Sequence, residues 1–340
     1  MKLKYLLGAL LQTLTPIAFG ATVEVDPYFQ GTTNVQELLG PRQVKRIPIA
    51  ALRAGDQVAI RVATTNAVYN DLTACVVTEA VARDYSPKDT CGARIRVATP
   101  IIIEERVAED GNYVLILDNS YAGVITKKVS ATVKHRSRLP PQRVDAIKRG
   151  LLPVQAMMLR TFVDSDFNIF VKPCGQSNAF SDNRTANITL CSEFLHDMTK
   201  QNSGDAALVG VLLHEYGHSL LNRWGEPGAS EEDMADQFAT AMLLREGDQG
   251  RRILQGWIAW WSTHDSAAEA RHQLRYGDTH SLSVQRARNI QHNMNYPEEF
   301  TRRWNKMLYR YMTREAIEQV IARPRKTDDV DIATTALRAK

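Results

Sequence analysis

Two different spacings of apolar residues divide the chain. Between residues 22 and 135, short apolar and β-branched runs alternate with turn residues, which predicts a series of strands. The clearest runs are 57–62, 74–77, 95–97, 113–117 and 128–133. Short strands separated by frequent turns predict a β-sandwich accessory domain over 22–135.

Beyond that region the apolar spacing becomes mixed. Residues 144–162 predict a helix, 168–172 predict a strand, and 251–261 place Ile253, Leu254, Trp257, Ile258 and Trp261 at helical spacing. Helices mixed with strands predict an α+β domain over 144–322. The polar, proline-bearing segment 136–143 predicts a linker, and the polar end 323–340 predicts a flexible tail.

The first twenty residues have the order of a signal peptide. Lys2 and Lys4 precede an apolar stretch, and small residues end it before Ala21. Gln12 and Pro16 interrupt that stretch, which is shorter than the roughly 20 apolar residues that a membrane span needs. We therefore expect an exported protein, periplasmic or secreted, with no transmembrane segment in the mature chain.

The four cysteines agree with export. Cys75 and Cys91 lie in the strand-rich part, and Cys174 and Cys191 lie in the following domain. Two local disulfides are the simplest of the three possible pairings, and an oxidising compartment favours disulfides over thiolate ligands. The formal net charge is +4, and this balance of charges does not indicate nucleic-acid binding.

The sequence His214-Glu215-Tyr216-Gly217-His218 is the main chemical signal, because it follows an apolar run that predicts a buried helix over 206–213. Positions i and i+4 share one helical face, so both imidazoles can reach one Zn²⁺ ion. Glu215 would then lie beside the water on that ion. The alternative is a pair of core histidines that happen to be four residues apart.

A catalytic zinc site usually takes a third protein ligand. Glu232 is the preferred candidate, because it would lie in the first turn of the next predicted helix. Asp236 lies one turn further along the same face, where it can hydrogen-bond a ligand histidine or substitute as the third ligand. The alternative for a single such carboxylate is a favourable contact with the positive end of the helix dipole.

These elements resemble those of the Glu-zincins, metallopeptidases in which an ExxAD element follows HExxH. Within this resemblance, residues 177–180 and 188–190 correspond to a substrate-binding edge strand, and Asn178 and Ala179 would hold an extended peptide. Residues 172–180, 188–193 and the HEYGH motif are most similar to an uncharacterised family of bacterial metallopeptidases, over roughly residues 150–300. The resemblance implies a zincin-like domain that hydrolyses peptide bonds.

Two weaker resemblances extend this interpretation. Thr279-His280-Ser281 with Arg286 resembles the Thr-His-Pro and arginine element of the prenyl-protease and periplasmic quality-control branch, although serine replaces proline here. His280 is therefore the first candidate for stabilising the oxyanion, with Tyr276 and Arg286 as alternatives. Residues 111–121 followed by 127–130 resemble the last strands of jelly-roll accessory domains, whose ligand the sequence does not identify.

The sequence thus predicts an exported zinc metallopeptidase that acts on a peptide or protein substrate, with one Zn²⁺ per chain and Glu215 as general base. Two alternatives stay open: a zinc-binding or scaffold protein without turnover, and a zinc amidase that acts on cell-wall material. A purely structural zinc site would need no base, which disfavours the first.

Overall fold

The chain combines helices and strands in two compact units. A computed structural model describes residues 20–65, 70–199, 204–229, 231–263, 283–322 and 327–339. One unit contains Pro27–Pro140 with Pro173–Gln176, and the other contains Met1–Asp26, Pro141–Lys172 and Ser177–Lys340. The mixed α+β class predicted from the sequence is confirmed.

The first of these units is built from two four-stranded sheets. Its strands are β2 (Tyr28–Leu39), β3 (Val44–Leu52), β4 (Gln57–Thr64), β5 (Asp71–Thr78), β6 (Val97–Ala98), β7 (Ile101–Arg106), β8 (Gly111–Asp118) and β9 (Lys127–Arg138). One sheet has the order β2-β9-β4-β7 and the other has the order β3-β8-β5-β6. Residues from both sheets share one hydrophobic core, which is the arrangement of a β-sandwich.

Period-two alternation explains how each strand divides between core and solvent. In β4, Val58 and Ile60 are buried in this core while Gln57, Ala59 and Arg61 are exposed. Short helices α1 (Glu79–Arg83) and α2 (Pro87–Thr90) follow β5, and a disulfide joins Cys75 of β5 to Cys91. Cys174 and Cys191 are also disulfide-bonded and no cysteine is free, so both predicted pairings are confirmed.

The other unit contains a second sheet and a set of helices. Its strands are β1 (Val23–Val25), β10 (Ile169–Lys172), β11 (Ala179–Ser181) and β12 (Ile188–Cys191), in the order β1-β10-β12-β11. Its helices are α3 (Pro141–Thr161), α4 (Ser192–Thr199), α5 (Gly204–Arg223), α6 (Glu232–Leu244), α7 (Gly247–Trp261), α8 (Ser283–Asn295), α9 (Pro297–Tyr311), α10 (Arg314–Ala322) and α11 (Thr327–Arg338). Among the helices of the described residues, none is both long and apolar enough to cross a membrane.

Three element boundaries differ from those that the sequence predicts. The strand β1 pairs in parallel with β10, so residues 23–25 lie in the helical unit and not in the sandwich. The predicted linker 136–143 is occupied by the end of β9 and the start of α3, whose first residue is Pro141. The predicted flexible tail contains α11, in which Val330, Ala333 and Leu337 recur at helical spacing and Ala333 is fully buried.

The central helix α5 packs closely against α7 because glycines remove side chains at their contact. A Cβ atom added to Gly210 would lie 2.4 Å from Cδ2 of the buried Trp257 ring. A Cβ atom added to Gly256 would lie 2.5 Å from the Cβ of Ala206. The helix that carries the HExxH sequence is therefore fixed against α7 over more than one turn.

We expect Gly210→Ala to lower the free energy of unfolding by about 1–3 kcal/mol, because overpacking at Trp257 outweighs the better helix propensity of alanine. Urea denaturation followed by tryptophan fluorescence measures the change. Gly123→Ala is the matched control, since an added Cβ there has no neighbour within 4 Å. A Gly210→Ala protein as stable as the wild type would contradict this account of the contact.

Candidate metal centre

The HExxH sequence lies on α5, where the helix brings its two histidines together. The ring centroids of His214 and His218 are 4.7 Å apart and their planes are nearly perpendicular. Glu215 follows His214 and is only 6% exposed to solvent. The local i and i+4 geometry predicted from the sequence is therefore present on a largely buried helix.

Hydrogen bonds orient both imidazoles through the same ring nitrogen. His214 Nδ1 lies 2.8 Å from Asp236 Oδ1, and His218 Nδ1 lies 3.1 Å from the carbonyl oxygen of Ala229. A carboxylate and a carbonyl both accept, so each Nδ1 donates. In a neutral imidazole this leaves Nε2 as the basic nitrogen, which is the arrangement that a metal-binding histidine needs.

Glu232 meets the two free nitrogens. It is the first residue of α6, and its carboxylate oxygens lie 3.1 Å from His214 Nε2 and 3.4 Å from His218 Nε2. Bonds of about 2.0–2.2 Å in a tetrahedron place neighbouring ligand atoms about 3.3 Å apart. The three side chains form a candidate metal-binding group, with all ligand atoms within 4.8 Å of one another.

Close contact between α5 and α6 brings Glu232 to the histidines. A Cβ atom added to Gly217, in the middle of the HEYGH sequence, would lie 3.1 Å from the Cα of Ala235 and 3.2 Å from the Cβ of Phe238. The small residue at this position allows the backbones of the two helices to approach. The glycine of the motif thus has a packing role beside the chemistry of its neighbours.

Arg286 of α8 holds Asp236 in a buried ion pair. Its Nε and Nη2 atoms donate to the two oxygens of Asp236, both at 2.7 Å. Its Nη1 atom lies 3.4 Å from Glu232 Oε2, and its guanidinium stacks 4.1 Å from the centre of the Trp261 ring. The two-pronged contact fixes the carboxylate that in turn orients His214.

The charges of this buried cluster do not balance by themselves. Glu215, Glu232 and Asp236 bring three carboxylates, whereas Arg286 brings one guanidinium. With neutral imidazoles and ionised carboxylates, these described side chains carry two net negative charges, which a divalent cation would neutralise. Burial makes unbalanced charge expensive, so the donor set and its charge both fit such a cation.

The pKa values of the side chains in this cluster reflect the same excess of negative charge. Burial alone lowers the pKa of His214, but hydrogen bonds to Asp236 and Glu232 outweigh it and raise that pKa to about 9. Burial raises the pKa of Glu232, yet the contacts with His214 and His218 hold it well below its usual range. Burial also raises the pKa of Glu215. Positive charge is thus favoured between the histidines and Glu232, where a proton and a cation would compete.

The strand β11 lies at the edge of its sheet and beside α5. It pairs antiparallel with β12, and the Cys191 N–H donates to the Asn178 carbonyl at 3.0 Å. Antiparallel pairing alternates, so the N–H and C=O of Ala179 face away from β12. The hydroxyl oxygens of Ser181 and Ser219 are 2.7 Å apart, which ties this edge strand to the helix residue after His218.

The structure brings together some of the predicted site residues and leaves others outside its description. His214, Glu215, His218, Glu232 and Asp236 form one cluster. His280 and Tyr276 lie outside the described residues. Arg286, an alternative candidate for stabilising the oxyanion of a bound substrate, contacts the carboxylates of Asp236 and Glu232. Sequence reasoning did not find the contacts of Ala229 and Trp261, and no local pattern marks them.

A family model described as "Putative metallopeptidase" matches residues 154–299, a range that includes His214, His218 and Glu232 of the candidate metal centre. This similarity supports the resemblance to metallopeptidases and the binding of a metal, without identifying the metal. Among curated proteins, none matches this chain in sequence.

Several solved structures share local similarity. PliG of Aeromonas hydrophila, a periplasmic inhibitor of g-type lysozyme, is 9% identical over 34% of this chain and 96% of its own, with a TM-score of 0.24. A protein of Bacillus endospore appendages, a family of disulfide-linked pili, is 14% identical over 38% of this chain and 100% of its own, with a TM-score of 0.22. A chain of the cyanophage Pam1 capsid is 20% identical over 33% of this chain and 84% of its own, with a TM-score of 0.18. TM-scores this low carry no information about function.

Proposed function

We propose that this chain is an exported zinc metallopeptidase with a zincin-like domain. The observation that carries the proposal is the meeting of His214 Nε2, His218 Nε2 and the Glu232 carboxylate at distances of 3.1 and 3.4 Å. The three donors, two imidazoles and one carboxylate, suit Zn²⁺ in a catalytic site, where a fourth position takes water or substrate. The two disulfides and the signal-peptide pattern support export.

The proposed chemistry assigns a different task to each side chain. A zinc ion bound by His214, His218 and Glu232 would acidify water and polarise the carbonyl of the substrate. Glu215 accepts the proton of the attacking water and passes it to the leaving amine. Burial raises the pKa of Glu215, which makes it a stronger base than an exposed carboxylate.

Asp236 and Arg286 act through their neighbours. Asp236 accepts the Nδ1 proton of His214 and so presents Nε2 to the metal. Arg286 holds Asp236 through both carboxylate oxygens and is therefore proposed as a positioning residue. His280, with Tyr276 as the alternative, is proposed to stabilise the oxyanion of the tetrahedral intermediate.

The edge strand is proposed to bind substrate. The outward N–H and C=O of Ala179 would pair with an extended peptide, which would add a strand to the sheet beside α5. Asn178 precedes the strand and is proposed to contribute its side-chain amide. Because backbone pairing carries no side-chain selectivity, cleavage preference would depend on pockets around the strand.

The test is hydrolysis by the purified protein, residues 21–340, of unfolded protein substrates and of peptidoglycan fragments in parallel. We expect about one zinc per chain, cleavage of peptide bonds between standard residues, complete loss with a chelator and recovery with added zinc. Cleavage of peptidoglycan amides alone would replace this proposal with the amidase. Bound zinc without turnover of either substrate would favour a zinc-binding protein.

A further inference from the structure

The outer face of the sheet β2-β9-β4-β7 is strongly basic. In each strand the residues that alternate with the core residues point away from the core, so the pairing register places them in rows across this face. The charged members are six cations and one carboxylate: Arg61, Arg106, Lys128, Lys134, Arg136, Arg138 and Glu104. All seven are exposed.

These cations are not neutralised by neighbours. Within the described part of the chain, none of the six takes part in an ion pair, whereas cations elsewhere in the sandwich do, as in Lys45 with Glu37 and Arg94 with Glu105. The guanidinium of Arg136 stacks 4.6 Å from the centre of the Tyr28 ring, which holds it on the face without removing its charge. The face is thus an uncompensated positive surface.

The positive charges follow a line. Lys128, Lys134, Arg136 and Arg138 all lie on β9, and neighbouring outward positions of a strand are about 7 Å apart. The line is therefore about 34 Å long from Lys128 to Arg138. Arg61 and Arg106 lie on the strands to one side of it and widen the basic face.

A row of uncharged polar side chains runs beside this line. The strand β2 pairs with β9 over its whole length, and its exposed amides Asn34 and Gln36 lie opposite Thr132 and Ser130, in the stretch of β9 between Lys128 and Lys134. Amides donate to and accept from hydroxyls, so Asn34 and Gln36 place hydroxyl-binding groups beside the uncharged stretch between these two cations.

From this face we infer that the β-sandwich binds a linear anionic polysaccharide along β9, with its carboxylates on the cations and its hydroxyls on the amides of Asn34 and Gln36. A line of cations along one strand fits an extended polymer better than a compact ligand. The charges are complementary, and the two amides offer hydrogen bonds to hydroxyls between the charged positions.

Two other anionic partners fit the face less well. Single-stranded nucleic acid is bound by stacking bases on aromatic rings, and Tyr28, the aromatic residue of this face, has the guanidinium of Arg136 over its ring. A membrane surface favours contiguous apolar side chains, whereas the exposed Leu38 and Ile102 lie on opposite edge strands. The inference is independent of the proposed peptidase activity.

The test measures binding of the full mature protein to polygalacturonate, with fully methyl-esterified polygalacturonan as the uncharged counterpart. We expect binding to the charged polymer alone, weakening as salt rises. The variant K134Q/R136Q removes two charges from the line and should bind at least about tenfold more weakly. The variant R53Q/K88Q removes two exposed charges of the same unit outside this face and should bind like the wild type.

Several outcomes would overturn the inference. Equal weakening in both double variants would show that net charge, and not this face, determines binding. Tighter binding to an oligonucleotide or to vesicles with anionic lipid than to polygalacturonate, at the same salt concentration, would assign the face to that partner. Unchanged thermal unfolding of K134Q/R136Q confirms that its weaker binding does not come from misfolding.

Discussion

Replacing Glu215 by glutamine is expected to lower peptide hydrolysis at least about a hundredfold and to leave the bound zinc unchanged. Glutamine keeps the shape and burial of the side chain but cannot accept the proton of the attacking water. Glu215 is absent from the group of His214, His218 and Glu232, whose atoms converge on the proposed ion. This variant should therefore lose activity, as measured by peptide turnover, and keep its zinc, as measured by mass spectrometry.

Glu231→Gln is the matched control, because it makes the same chemical change next to the site. Glu231 is exposed, and its side chain makes no capping hydrogen bond to α6. The control should retain wild-type turnover and one zinc per chain. A Glu215→Gln protein that hydrolyses peptides at the wild-type rate would refute the general-base assignment and with it the proposed mechanism.

Local sequence patterns predicted those parts of the site that depend on one helix. His214 and His218 lie together because helical geometry alone places i and i+4 on one face. The prediction of Glu232 as a ligand required only that α6 pack against α5. Gly217 permits this packing by letting the two helices approach. The residues at these positions therefore predicted most of the candidate metal centre.

Contacts between distant parts of the chain were harder to predict. Arg286 is 50 residues after Asp236, and the resemblance that marked it as a candidate for stabilising the oxyanion did not predict its ion pair with Asp236. The strand β1 has the same alternation as the strands of the sandwich, yet it pairs with β10 of the other unit. Periodicity predicts which face of an element is buried and does not identify the element that buries it.

Composition was misleading at the end of the chain. Residues after 323 are mostly polar, which predicted a flexible tail, but α11 contains apolar positions at helical spacing. Ala333 is completely buried there. A short amphipathic helix needs few apolar residues when neighbouring helices cover them. The average composition of the segment therefore conceals the helical spacing of its apolar residues.

The identity of the third ligand is tested by comparing two carboxylates on the same helix. Asp236 lies 2.8 Å from Nδ1 of His214, and Glu232 lies 3.1 Å from Nε2 of the same ring. The two ring nitrogens point in different directions, so both carboxylates cannot serve an ion on the Nε2 side. This geometry supports Glu232 as the ligand and Asp236 as the group that orients His214.

We expect Asp236→Asn to weaken zinc binding about 10–100-fold, the usual effect of losing a partner that orients a ligand. Glu232→Ala should weaken it further, because it removes one of three donors, and should leave the purified protein without zinc. Competition with a chromophoric chelator measures both affinities. Retained zinc in Glu232→Ala together with zinc-free Asp236→Asn would reverse the two roles. Thermal unfolding with zinc removed must accompany the comparison, because Asp236→Asn also removes the nearer of the two carboxylates that pair with the buried Arg286.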